Sequence, residues 1–140
     1  MMQAYLLSVL YLCYGAAFLL ADEHGARFPS LLSLRYYFRT NRWVRAFVII
    51  IGIILTALLS FFPMDPGPVL LGDLLPMINT LSLTVYFLHQ SIKGAEEVGE
   101  RKESVLHATG QYVDHNRRYV GYFTLVVAVL HFILPQLVIL

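Results

Sequence analysis

Four stretches of this chain, residues 2–21, 44–62, 69–90 and 119–140, are each about as long and apolar as a helix must be to cross a bilayer, roughly 20 residues. The run Val48-Ile49-Ile50-Ile51-Gly52-Ile53-Ile54-Leu55 has no polar side at all. A helix that is apolar all round has to be enclosed, by protein or by lipid. Protein is in short supply here. The chain has 140 residues, one domain's worth, and only 14% of them are charged against 58% hydrophobic, where a soluble domain carries about 25% charged residues. Lipid is then the covering solvent, and the expected fold is an all-α, four-helix transmembrane bundle forming one domain over residues 1–140.

The first stretch does not read as a cleaved leader. Met1-Met2-Gln3-Ala4 carries no charge, and the run ends in Asp22-Glu23-His24 rather than at a small-x-small site. Orientation follows from the basic residues, which resist translocation. Arg27, Arg35, Arg39, Arg42 and Arg45 surround the first connection, and Lys93, Arg101, Lys102, Arg117 and Arg118 surround the third. These are all 10 lysines and arginines. The connection Pro63-Met64-Asp65-Pro66-Gly67-Pro68 has none. Loops 22–43 and 91–118 are therefore expected in the cytoplasm and both termini outside, in a bacterial inner membrane.

The two basic loops differ. Pro29-Ser30 is a helix start signal, and Leu31, Leu34 and Phe38 share one face of the helix that follows. Arg35, Arg39 and Arg42 recur on another face, with Tyr36, Tyr37 and Trp43 as interface aromatics. This pattern predicts a short interfacial amphipathic helix. Its three arginines are candidate ligands for an anionic lipid headgroup, weighed against simple anchoring at the interface. The 91–118 loop balances Glu96, Glu97, Glu100, Glu103 and Asp114 against five basic residues, the pattern of a solvated helical segment.

Polar residues inside apolar stretches need partners, and function would show there. Asn79, Ser82, Tyr86 and His89 recur down one side of the third stretch. At 1.5 Å per residue, Asp73 lies about 24 Å and Asn79 about 15 Å above His89. Asp73 is read either as the cap of a helix starting at Leu74 or as an intramembrane acid above a kink at Pro76. In the fourth stretch, Gly121, Thr124, Ala128 and His131 recur at helical spacing, and in the second Gly52, Thr56 and Ser60 do. Small residues and hydroxyls at such spacing let helices approach and bond across the contact. One reading makes these stripes packing seams. The other joins Asp73, Asn79, Ser82, Tyr86 and His131 into a polar site between the third and fourth helices.

Other chemistries find little support. Net charge is +1, which argues against nucleic acid as a partner. A single cysteine, Cys13, excludes an internal disulfide and a CxxC pair. The five histidines lack metalloprotease spacing, and His24 with His89 is the one pair that invites a metal or a b-type haem. No nucleophile–base pair is fixed by spacing, so neither an enzyme nor a cofactor is expected. The leading expectation is a non-enzymatic membrane subunit that assembles, as a homo-oligomer or within a larger membrane complex. The alternatives are a small ion, proton or solute channel or transporter, and then a haem- or metal-binding membrane protein.

Overall fold

The computed structural model describes residues 2–61, 74–93 and 105–133, which form six helices and, among the described residues, no strand. In chain order these are α1 (Met2–His24), α2 (Pro29–Thr40), α3 (Arg42–Phe61), α4 (Leu74–Lys93), α5 (Val105–His115) and α6 (Arg117–Ile133). The all-helical expectation holds. Asp73 and the 63–73 connection lie outside the described residues, as do residues 94–104 and 134–140.

Local chemistry accounts for the breaks. α1 outlasts its apolar run by one turn, through Asp22, Glu23 and His24, and ends as Gly25 donates its N–H to Ala21 O at 3.0 Å. α2 starts on Pro29, whose missing N–H costs nothing in a first turn. Asn41 separates α2 from α3 in an extended conformation (φ −104°, ψ 110°), and its Oδ1 accepts the Trp43 N–H at 2.9 Å. One residue, Asn116, separates α5 from α6. Pro76 falls in the first described turn of α4, again where a proline is tolerated.

α1 lies along α6 and α3 along α4, and contacts of α1 with α4 join the two pairs. An aromatic cluster fills the junction. The Phe18 ring stands edge-on to Phe38 and to Phe87, both with centroids 5.1 Å away, and Tyr86, Tyr11 and Tyr14 complete the layer. Such edge-to-face pairs contribute about 0.5–1.5 kcal/mol each beyond the area they bury. Leu12, Leu19, Leu55, Leu83, Val127 and Ala128 pack around it. α3 reaches α1 and α4 through Gly52, where a Cβ would overlap the Thr84 hydroxyl and the Tyr11 ring.

Among the described residues, two helices, α1 and α3, are long and apolar enough to cross a membrane. At this level the expectation of four spans is met for two. α4 carries Asn79, Thr80, Ser82, Thr84, His89 and Gln90, and α6 is described over 17 residues. The two candidates differ in surroundings: 56% of the apolar window of α1 is buried within the protein but 22% of that of α3. Phe47, Ile50, Ile53 and Ile54 of α3 face outward, as do Phe123, Val126, Val129, Phe132 and Ile133 of α6. Faces this apolar call for a cover other than water.

Candidate functional site

The polar side chains gather in two places. The first is the end of the bundle where α1 stops and α6 begins. Arg35 of α2 is 8% exposed, with its guanidinium over the Phe18 ring at 5.5 Å. A buried guanidinium needs a carboxylate, and its Nη1 pairs with Asp22. Asp22 Oδ2 accepts a second guanidinium, Arg117 Nη1, at 2.6 Å. Arg117 Nε in turn donates to Asp114 Oδ1 at 2.9 Å. Asp114 Oδ1 also accepts from Gln90 Nε2 at 2.9 Å and from the Tyr86 hydroxyl at 3.3 Å. One chain of contacts thus links α1, α2, α4, α5 and α6. Burial works against the charge on Asp22, but the hydrogen bond from Arg117 and the two adjacent guanidiniums outweigh it and hold the carboxyl below the usual carboxylate range. Beside this network Arg118 pairs with Glu23 at 3.2 Å, and the Tyr122 hydroxyl lies 3.4 Å from His24 Nε2.

The second place is the interior, where polar groups meet in pairs across helix contacts. Thr124 of α6 donates its hydroxyl to Asn79 Oδ1 of α4 at 3.1 Å, with both residues buried. Among the described residues the buried Asn79 Nδ2 has no hydrogen-bond partner. Tyr11 of α1 and Thr84 of α4 share a hydrogen bond of 3.1 Å. At the far end of α6 the Tyr5 hydroxyl donates to the His131 carbonyl, and the two rings lie 4.7 Å apart. The pairs serve three separate helix contacts: α4 with α6, α1 with α4, and α1 with α6.

The residues singled out from the sequence are therefore dispersed. Asn79 joins Thr124, His131 sits against Tyr5, and Tyr86 belongs to the Asp114 network. Ser82 turns its hydroxyl back to Ile78 O at 2.8 Å on its own helix. Asp73 lies outside the described residues. Of the packing residues, Gly52, Gly121, Thr124 and Ala128 are buried, whereas the hydroxyls of Thr56 and Ser60 bond the carbonyls of Gly52 and Thr56 one turn back. The three headgroup arginines divide. Arg35 points inward to Asp22, while Arg39 and Arg42 are exposed, Arg42 stacking over Trp43 at 5.6 Å. His24 lies by Tyr122, and His89 is buried against Gly110, whose missing Cβ makes room for its ring. Among the described residues no three His, Cys, Asp or Glu side chains gather as a metal would require.

The Asp22–Arg35–Arg117–Asp114 network is the feature that reading along the sequence missed. Its signal was present: Asp22-Glu23 directly follows one apolar run and Arg117-Arg118 directly precedes another, so the two charge clusters fall at the same end of neighbouring helices.

These features define an all-helical protein in which several buried polar side chains, Asn79, Thr124, Tyr11 and Thr84 among them, bond from helix to helix. A protein-family model matches residues 1–131, and the chain belongs to that family, one of unknown function. No curated protein and no solved structure is significantly similar to the chain.

Proposed function

We propose that this chain is a multi-pass integral membrane protein that acts by assembly, with copies of itself or with other membrane subunits, and that it catalyses no reaction. In this reading α1 over residues 2–21, α3, α4 and α6 are the four spans, and Asp22 lies just past the first of them. The Asp22–Arg117 end faces the cytoplasm of a bacterial cell, where the positive-inside rule puts all 10 basic residues. One observation carries the reading: two buried polar pairs, Asn79–Thr124 and Tyr11–Thr84, hydrogen-bond across contacts between helices. Interhelical hydrogen bonds at small-residue contacts are how helices associate in lipid. The apolar outer faces of α3 and α6 are left for lipid or for neighbouring subunits.

Native mass spectrometry of the protein extracted in mild detergent tests assembly. A discrete oligomer or a stoichiometric complex is the expected result, and a strictly monomeric species with no co-purifying protein overturns it. Cysteine-accessibility mapping in intact cells, on a Cys13→Ala background, tests the orientation.

A second reading, passage of a small ion or solute along the α4–α6 contact, has one observation in its favour. Asn79 Nδ2, in the second turn of α4, is a buried donor with no partner among the described residues, and an unpaired polar group is costly inside a membrane. Flux into proteoliposomes that is equal for wild type, Asn79→Ala and His131→Ala removes both residues from any such path.

A further inference from the structure

Resting on the membrane reading above, we infer that the elbow between α2 and α3 is a binding site for an anionic phospholipid. Trp43, Val44, Ala46, Phe47 and Ile50 line an open, wholly apolar groove of about 450 Å³ on the outer face of α3. Trp43 is 72% exposed and Phe47 65%, so little of the protein covers it. From Trp43 to Ile50 the groove follows α3 for about 10 Å. It starts at the ring type favoured at headgroup depth and runs into α3, the more apolar of the two candidate spans among the described residues. An acyl chain has the shape and chemistry to fill it.

The charge at its mouth selects the headgroup. Arg42 stacks over Trp43 at the groove's rim, and Arg39 precedes it in the last turn of α2. Both are exposed, and among the described residues neither has an acidic partner. The carboxylates of the adjoining end are already engaged: Asp22 holds Arg35 and Arg117, and Glu23 holds Arg118. The two cations ask for an occupant that brings negative charge as well as apolar surface. A phospholipid with net negative charge satisfies both ends at once, its phosphate at Arg39 and Arg42 and its chain along Trp43, Phe47 and Ile50. The inward turn of Arg35 excludes it from the site.

The chain contains one tryptophan, Trp43, and it lies in the groove, so its fluorescence reports the site directly. The protein is reconstituted in vesicles of phosphatidylcholine containing an equal, minor fraction of either brominated phosphatidylglycerol or brominated phosphatidylcholine, bromine being a short-range quencher. The expected result is stronger quenching by the anionic lipid, corresponding to an apparent affinity about fivefold higher. An Arg39→Gln/Arg42→Gln variant loses that preference, whereas Arg27→Gln keeps it. Equal quenching by the two lipids in the wild type overturns the site and leaves the membrane reading standing. A preference that survives in the double variant also overturns it. No quenching by either lipid removes Trp43 from the bilayer and overturns the membrane reading with the site.

Discussion

Arg117 Nη1 stands 2.6 Å from Asp22 Oδ2, closing a contact between residues 95 positions apart in the chain. The same carboxylate holds Arg35, so one acid at the end of α1 pairs with cations from α2 and α6, Asp114 being the second acid on Arg117. Arg35 has no other counter-charge among the described residues, and its side chain is 10% exposed. The relationship makes Asp22 the hinge of the whole charged end.

Asp22→Asn is therefore expected to destabilise the protein well beyond the loss of an ordinary surface pair. It leaves a buried guanidinium uncompensated, which costs several kcal/mol in a dry interior. Water reaches Asp22 itself, so the expected loss is about 2 kcal/mol. Glu23→Gln, which breaks the more exposed pair with Arg118, is expected to cost less than about 1 kcal/mol. Reversible unfolding of both variants in detergent, monitored by circular dichroism, checks the contrast. Equal effects refute it.

Acid provides a second handle on the same group. The folded-state pKa of Asp22 lies below its unfolded value, so the folded protein binds the proton less readily. Its contribution to stability is fully present above the unfolded carboxylate pKa of about 3.9 and is lost as pH falls through the lowered folded value. The stability gap between wild type and Asp22→Asn is thus expected to be constant near neutrality and to shrink below about pH 4. A gap that widens on acidification contradicts the sign of the shift.

How much of this was legible beforehand differs from element to element. The helices α1, α2 and α3 follow from apolar runs and from Pro29, and their ends lie close to where those signals put them. The direction of Arg35 was not legible. Helical spacing put it on one face with Arg39 and Arg42, but one turn of a short helix against α1 is enough to bring Arg35 over Phe18 and leave Arg39 exposed. Spacing likewise aligned Asn79, Ser82 and Tyr86. A serine can satisfy itself on the carbonyl one turn back, as Ser82 does with Ile78, so it need not face the same neighbour as an asparagine. Which helix receives which stripe is a property of the packing order, and no single-helix pattern contains it.

Gly110 and His89 give a packing prediction. A Cβ at Gly110 overlaps the His89 ring and also the His89 Cβ, which cannot swing aside without moving α4. Gly110→Ala favours the isolated helix by about 1 kcal/mol. Overpacking costs about 1–3 kcal/mol, so the net effect is expected to be destabilising, with α5 loosened from α4. Faster hydrogen exchange at Gln111 to Asp114 in the variant is the check, and unchanged exchange with raised stability refutes the close contact.

The interior pair separates packing from passage. Thr124→Val keeps the shape of the side chain and deletes the hydroxyl that Asn79 Oδ1 accepts, leaving a buried amide with neither end bonded. The expected cost is about 0.5–1.5 kcal/mol, the range of hydrogen bonds between helices in lipid. If the pair exists to hold α4 on α6, adding Asn79→Leu removes the stranded amide along with its lost partner. The double variant is then expected to recover most of the stability, because replacing both partners by apolar groups of similar size is close to neutral. Unfolding midpoints of the two singles and the double complete the cycle. A double variant that is stable, oligomeric and otherwise indistinguishable from the wild type assigns Asn79 to the seam. A double variant that is stable but has lost proteoliposome flux that the wild type shows assigns it to a path.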